Sequence, residues 1–331
     1  MMAEQRGMEV TGMTTQKRKV IILGAGRVGG GCGISLVLRG DVDELVFLDI
    51  DRHRAEAQAL DLCNVASYLP KQVRVRAGDY SDCPDAHILI LTAGVARLPG
   101  QRREEELDGS MRVISKIIEP LRDSGFSGIL ICVTNPADVI CDYVRKHTGI
   151  ERRRIFSSGT AMDSTRIRHV LSEATGVAPA SIQAWSLGEH GPNQMVPWSQ
   201  ASINGISLAG LMERYPETYG KLNFDDLLAA AKREGPHISD GKGISEFGIG
   251  YTVSEIVFPI LCDQKTILPV APLLDGEYGQ RDVHASVPCV LGKNGVEQIL
   301  EISMTPEEKA RFDASCDAIR AGIEIAAKWE G

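Results

Sequence analysis

Short apolar runs recur along the first half of the chain, each bounded by glycine or a polar residue. Val20-Ile21-Ile22-Leu23, Leu45-Val46-Phe47-Leu48, Ile88-Leu89-Ile90-Leu91 and the run from Ile129 to Val133 show no polar alternation. That pattern predicts strands buried on both faces. Val73 and Val75 alternate with arginines and predict a weaker strand at a sheet edge. Helical stretches lie between: one containing Ile34–Leu38 and stopped by Gly40, one from Arg54 to Leu69 ended by Pro70, and one from Glu104 to Arg122. Strands alternating with helices predict a parallel sheet joined by right-handed crossovers.

The alternation fails after about Ser158. Helix patterns at Ala161–Thr175, Phe224–Arg233, Gly243–Leu261 and Pro306–Trp329 then mix with antiparallel-looking strands around Gln183–Ser186 and Val287–Val290. With no obvious linker, the chain divides into a tail over 1–18, a parallel α/β domain over 19–158 and a mixed α+β domain over 159–331. The tail is polar and lacks the apolar centre of a secretion signal.

Charge and cysteine usage narrow the function classes. A net charge of −8 over 331 residues disfavours nucleic acid or an anionic membrane as partner, since both need clustered Lys and Arg. An acidic ligand must therefore be caught by local arginines. Eight cysteines (32, 63, 83, 132, 141, 262, 289 and 316) show no C-x-x-C pair and no metal-ligand spacing. They read as reduced core thiols of a cytoplasmic protein. No apolar stretch reaches membrane-spanning length uninterrupted.

Gly24-Ala25-Gly26-Arg27-Val28-Gly29 is a G-x-G-x-x-G between a predicted strand and a predicted helix. That context separates it from an ordinary glycine-rich turn. The first glycine permits a tight turn, the second lets a pyrophosphate approach the backbone, and the third lets helix and strand pack. Asp49 ends the second strand 20 residues after Gly29. A carboxylate there would bond the ribose hydroxyls and repel a 2′-phosphate, favouring NAD over NADP. The bland alternative makes Asp49 a turn residue and Asp51 the cap of the next helix. The predicted fold class is α/β: a Rossmann-type doubly wound parallel sheet followed by a mixed α+β catalytic domain. Nothing in the pattern explains why Gly30 and Gly31 prolong the glycine run.

Three further segments carry polar chemistry. Arg97-Leu98-Pro99-Gly100-Gln101-Arg102-Arg103 follows an apolar strand and looks like an anion-capturing lid. Asp163-Ser164-Thr165-Arg166 puts a carboxylate and a guanidinium on one helix face. Gly188-Glu189-His190-Gly191 sets a histidine in a loop. Each has an ordinary explanation: a solvated basic cap, an intrahelical ion pair, an exposed histidine. Taken with the nucleotide motif and the segment Leu274–Val283, they resemble the L-lactate/L-malate dehydrogenase family from Lys19 onward.

The resemblance implies a site. His190 exchanges a proton with the oxygen of a 2-oxo or 2-hydroxy acid, oriented by Asp163. Arg166 forks the substrate's 1-carboxylate. Arg103 polarises the carbonyl, with Arg102 a one-residue alternative. Asn135, otherwise a turn residue before Pro136, bonds substrate and supports the nicotinamide. Ser245, placed on the helix after Gly243, lines the substrate pocket. The implied NAD-facing set is Gly24, Gly26, Arg27, Val28, Gly29, Asp49, Thr92, Ala93, Gly94, Val133 and Asn135, with no metal.

Arg97 stands where lactate enzymes usually carry Gln, and an arginine there answers a second carboxylate. The implied enzyme is therefore a lactate-dehydrogenase-like malate dehydrogenase of the tricarboxylic acid cycle. It interconverts L-malate and oxaloacetate with NAD and forms a homo-oligomer, a dimer or the tetramer usual in that branch. The alternative is an L-lactate or other L-2-hydroxy-acid dehydrogenase. Pro192 departs from the family, which usually has Asp there, so a backbone donor and a carboxylate are missing beside the histidine loop. Two other classes fit less well. An NAD-dependent glycosidase needs Cys and His metal ligands that Asn135 and His190 lack nearby, and a non-catalytic NAD sensor needs no proton donor.

Overall fold

A computed structural model describes residues 17–95 and 103–329, the side chains of residues 103 and 104 excepted. Parallel strands β1 (Lys19–Leu23), β2 (Glu44–Leu48), β3 (Arg74–Ala77), β4 (Ile88–Leu91), β5 (Ile129–Cys132) and β6 (Ile155–Ser157) form one sheet in the order β3-β2-β1-β4-β5-β6. Helices α1 (Arg27–Arg39), α2 (Arg52–Ala66), α3 (Arg103–Asp123) and α4 (Ala137–Thr148) connect the strands. Strands β1, β2, β4 and β5 are buried along their whole length, as unbroken aliphatic runs require. Each fully buried Val, Ile or Leu contributes about 1.5–3 kcal/mol of transfer free energy. Strand β3 is the edge, and its arginine alternation has a use: Arg76 bonds Glu44 at 2.7 Å and also reaches Asp82.

Helix boundaries depart from the periodicity where local chemistry intervenes. Helix α2 starts at Arg52 because the Asp51 side chain caps it, accepting from Arg54 N at 3.2 Å. It ends at Ala66, short of Leu69, which precedes Pro70 and is disfavoured in helical geometry. Helix α4 and strand β6 were not foreseen. Residues Ala137 to Val144 are all buried, Asp138 and Asp142 included, although Asp138, Asp142 and Arg145 recur at helical spacing.

The rest of the chain is mixed. Helix α5 (Ala161–Thr175) has its predicted bounds. Short strands β7 (Ile182–Gln183), β8 (Ser202–Ile203) and β9 (Ile206–Ser207) precede helices α6 (Leu208–Arg214), α7 (Pro216–Tyr219), α8 (Phe224–Lys242) and α9 (Phe247–Leu261). Then come β10 (Thr266–Val270), β11 (Leu273–Asp275), β12 (Arg281–His284), β13 (Val287–Gly292), β14 (Gly295–Ile299) and α10 (Pro306–Ala326). The pairings β7-β8-β9, β10-β13-β14 and β11-β12 are antiparallel. A satellite core gathers Ile167, Leu171 and Leu228 around Trp198, which stacks on Phe224 with ring centroids 4.7 Å apart.

Four expectations are corrected here. Helix α8 continues to Lys242 instead of stopping at Arg233, passing through Pro236 while it packs on α5. Gly243, with φ 88°, closes it, so α9 begins only at Phe247. Ser245 therefore lies in the turn between these helices and not on a helix. Helix α10 ends at Ala326, before Trp329.

The long glycine run also finds its cause. A Cβ on Gly31 would sit 2.5 Å from the Glu246 carbonyl oxygen, and one on Gly250 would sit 2.2 Å from the Gly31 carbonyl oxygen. Helices α1 and α9 thus cross backbone to backbone, while Gly30 makes room for the Gln58 side chain. Among the described residues, no helix is long and apolar enough to cross a membrane.

Candidate active site

The order of the parallel strands reverses between β1 and β4, and a crevice opens at the carboxyl ends of such a pair. Gly24 leaves β1 at φ +113°, a conformation L side chains avoid, and a Cβ there would lie 2.4 Å from Ala93 N. The Thr92 hydroxyl donates to the Gly24 carbonyl at 2.8 Å, tying the glycine turn to the end of β4. A Cβ on Gly29 would strike the Gly24 carbonyl oxygen at 2.0 Å, so only glycine lets α1 start so close to its strand.

These residues fit a dinucleotide. Gly26 caps α1 without any side-chain hydrogen bond, the first turn holds no acidic residue, and the space where a Gly26 Cβ would stand is open. The helix therefore presents unsatisfied N–H groups and its positive dipole end to the crevice, the setting that binds phosphate. Asp49 braces the glycine turn. Its Oδ2 accepts from Ala25 N at 2.7 Å and its Oδ1 from Asp51 N at 2.9 Å, which holds the carboxylate beside the glycine turn.

Arg27 does not aim its side chain at the crevice. Its guanidinium pairs with Glu246 through two 2.8 Å bonds and reaches the Lys242 carbonyl at 2.9 Å. Val28 packs against the core. Gly94 nearly touches Thr134, whose hydroxyl donates to the Ala93 carbonyl at 2.8 Å, and Val133 N donates to Leu91 O at 2.9 Å. Thr92, Ala93, Gly94, Val133 and Asn135 thus meet at the ends of β4 and β5. Asn135 is exposed there, its carbonyl held by the Ser110 hydroxyl at 2.7 Å.

The histidine loop adjoins this crevice. His190 Nδ1 lies 2.5 Å from Asp163 Oδ2 on α5. An ionised carboxylate can only accept, so Nδ1 carries the hydrogen and any proton exchange by the ring runs through Nε2. The negative charge of Asp163 raises His190 above the usual histidine value, against the opposing effect of burial. Burial pushes Asp163 the other way, yet the charges of His190 and Arg166 and their hydrogen bonds hold it below the usual carboxylate range. Asp163 is 2% exposed, and His190 is about a quarter exposed, at 26%.

Arg166 forms the intrahelical pair as well, with Nη1 2.8 Å from Asp163 Oδ1. That leaves its Nε buried with no hydrogen-bond partner among the described residues. An unpaired buried donor is a standing cost that an incoming acceptor removes. The guanidinium packs on α8 at Gly235, where a Cβ would come within 3.2 Å.

Sequence reasoning missed several supports. The Asp138 carboxylate accepts from His190 N at 2.9 Å. Glu189 Oε2 accepts from Asn193 N and Nδ2 at 3.0 and 2.9 Å, and Lys232 on α8 donates to the Pro192 carbonyl at 2.8 Å. The loop is thus braced despite Pro192. A carboxylate within the apolar stretch 137–144 was the visible signal for Asp138. Ser245 sits near Met162 of α5, each within 4 Å of where a Gly248 Cβ would stand. Arg97 and Arg102 lie outside the described residues, as does the Arg103 side chain; the Arg103 backbone opens α3. No group of three His, Cys, Asp or Glu among the described residues could hold a metal. All eight cysteines are free.

Known proteins carry the same framework. Residues 18–157 match the model of the lactate/malate dehydrogenase NAD binding domain, and residues 160–330 match that of its alpha/beta C-terminal domain. The L-lactate dehydrogenase 3 of Bacillus anthracis is 37% identical over 308 residues, covering 93% of this chain and 98% of that one. The minor L-lactate dehydrogenase from Enterococcus mundtii, in its ligands-bound form, superposes with a TM-score of 0.89 at 33% identity, covering 93% of this chain and 98% of its own. The malate dehydrogenase from Aeropyrum pernix gives 0.85 at 31% identity, over 92% of this chain and 97% of its own.

Proposed function

The chain belongs to the lactate/malate dehydrogenase family, an NAD-dependent oxidoreductase fold, and we propose that it interconverts L-lactate and pyruvate with His190 as the proton-transfer group. The observation that carries the chemistry is the 2.5 Å contact between His190 Nδ1 and Asp163 Oδ2. The substrate choice is supported by relatives named L-lactate dehydrogenase at 37% identity. They favour it over the malate expected from the sequence.

Bound NAD supplies the hydride acceptor or donor. The chain's own residues do the rest. Asp163 fixes the His190 tautomer, so Nε2 gives its proton to the 2-oxo oxygen during reduction and takes it back during oxidation. The raised His190 pKa keeps the donor form available to higher pH than an ordinary imidazole allows. Arg166 brings its unpaired Nε to the substrate carboxylate. Arg103 and Asn135 hold the reacting oxygen and Ser245 lines the pocket, roles carried over from the family likeness. Gly24, Gly26, Gly29 and Asp49 hold the dinucleotide's phosphates and ribose, with Thr92 to Gly94 and Val133 beside it. The reduced thiols support a cytoplasmic location, and the likeness supports a homodimer or homotetramer.

One observation favours a second reading. Arg97 replaces the neutral residue usual in lactate enzymes, and a distal carboxylate would neutralise it, so L-malate and oxaloacetate are the competing pair, with a place in the tricarboxylic acid cycle. Following NADH absorbance with pyruvate, oxaloacetate and longer 2-oxo acids decides. The highest kcat/KM with pyruvate supports the lactate reading, preference for oxaloacetate replaces it with malate, and no reduction of any 2-oxo acid removes both.

A further inference from the structure

The ring of His190 is held by Asp163, and its backbone is held by a different carboxylate. Asp138 lies in the first turn of α4, three residues after Asn135, and is 3% exposed. Acidic residues in that turn ordinarily serve their own helix through the dipole and the free N–H groups. Asp138 is spent otherwise. Its Oδ2 accepts from His190 N at 2.9 Å and its Oδ1 from the Ser157 hydroxyl at 2.6 Å, partners 52 and 19 residues away. The Ser157 hydroxyl in turn accepts from Gly159 N at 3.0 Å, in the turn that leads β6 into α5. The His190 loop and the helix carrying Asp163 and Arg166 are therefore both indexed to one buried carboxylate.

We propose that Asp138 is a positioning residue for the proton transfer assigned to His190: it fixes the backbone of the histidine loop and adds a second negative charge beside the ring. The inference rests on the His190 reading above. Burying a carboxylate is costly unless it is well bonded, and a site that retains one has a use for it. Burial raises the Asp138 carboxyl above the usual carboxylate value, and the Ser157 hydroxyl and His190 N–H oppose only part of that push. Asp138 stands behind Asp163 among the groups that raise His190. Among the described residues, the charged groups around His190 are Asp163 and Arg166 from α5, Asp138 from α4, Glu189 from its own loop, and Lys232, which reaches that loop from α8.

Asp138→Asn tests this, because the amide oxygen still accepts from His190 N while the charge is gone. Reduction needs protonated His190, so kcat/KM falls at high pH. In Asp138→Asn that alkaline limb moves to lower pH by at least about half a unit. kcat falls by roughly tenfold to a hundredfold, because the single amide oxygen cannot accept from both His190 N and the Ser157 hydroxyl and the loop loses one anchor. NADH affinity, read by fluorescence, stays within about twofold because the cofactor crevice is untouched.

Ser157→Ala is the control that keeps the charge and loosens its anchor. It lowers kcat by about threefold to tenfold and leaves the limb in place. If Asp138→Asn does not fold, Ser157→Ala decides alone, and normal kcat there overturns the proposal. A folded Asp138→Asn with an unmoved limb, or equal limb shifts in both variants, overturns it too. A wild-type enzyme with no alkaline limb sinks the His190 reading instead, so the two failures are told apart.

Discussion

His190 and Asp163 are 27 residues apart in the chain, yet His190 Nδ1 and Asp163 Oδ2 meet at 2.5 Å. The contact joins a loop to the first turn of α5, and Arg166 holds the second oxygen of the same carboxylate at 2.8 Å. One buried Asp thus orients a histidine and an arginine together.

Replacing Asp163 with Asn removes the charge that raises His190. The sign is fixed by direction: a raised histidine keeps its proton to higher pH, and losing the cause returns it downward. The alkaline limb of 2-oxo acid reduction should move to lower pH, and kcat should fall by about 10²–10⁴-fold as the tautomer loses its anchor. A pH–rate profile unchanged from wild type would contradict the pairing.

Arg166→Lys keeps a positive charge but cannot present two parallel N–H groups. A substrate misplaced by about 1 Å reacts roughly a hundredfold more slowly, so kcat/KM should drop by that order. Near-normal kinetics would leave Arg166 as an intrahelical partner of Asp163 and nothing more.

Asp49→Asn keeps an oxygen for the Ala25 N–H and removes the charge facing a 2′-phosphate. The preference for NAD over NADP should fall by about tenfold or more, in line with one close charge–charge repulsion in a partly wet site. Cofactor titrations giving the wild-type ratio would reduce Asp49 to a brace for the glycine turn.

Strands β1, β2, β4 and β5 were legible as unbroken aliphatic runs while the three-residue β6 was not, and Gly40 and Asp51 marked helix ends by local chemistry. The glycine motif and the Asp163, Arg166 and His190 set were legible because their residue types and order are restrictive. Helix α4 was missed although Asp138, Asp142 and Arg145 recur at helical spacing against its apolar residues. Helix α8 runs through Pro236 while packed on α5, and two-residue strands such as Ile182–Gln183 exist only through tertiary pairing. Asp138 was hidden for the same reason: its partners lie in other segments. The role of Gly31 became readable only from the crossing of α1 and α9.

Arg97→Gln addresses substrate choice. If Arg97 answers a distal carboxylate, the kcat/KM ratio of oxaloacetate to pyruvate should collapse by several kcal/mol equivalent, about a hundredfold or more. Equal losses for both substrates would make Arg97 a residue of the loop's own structure.

Proton transfer by His190 is tested most directly with His190→Asn, by pairing NADH binding with turnover. Nicotinamide fluorescence should report wild-type NADH affinity, because the glycine turn and Asp49 are untouched. Pyruvate reduction should fall by about 10²–10⁴-fold and lose its alkaline limb, as loss of a general acid predicts. Intact NADH binding together with substantial pyruvate reduction across neutral pH would contradict His190 as the proton donor.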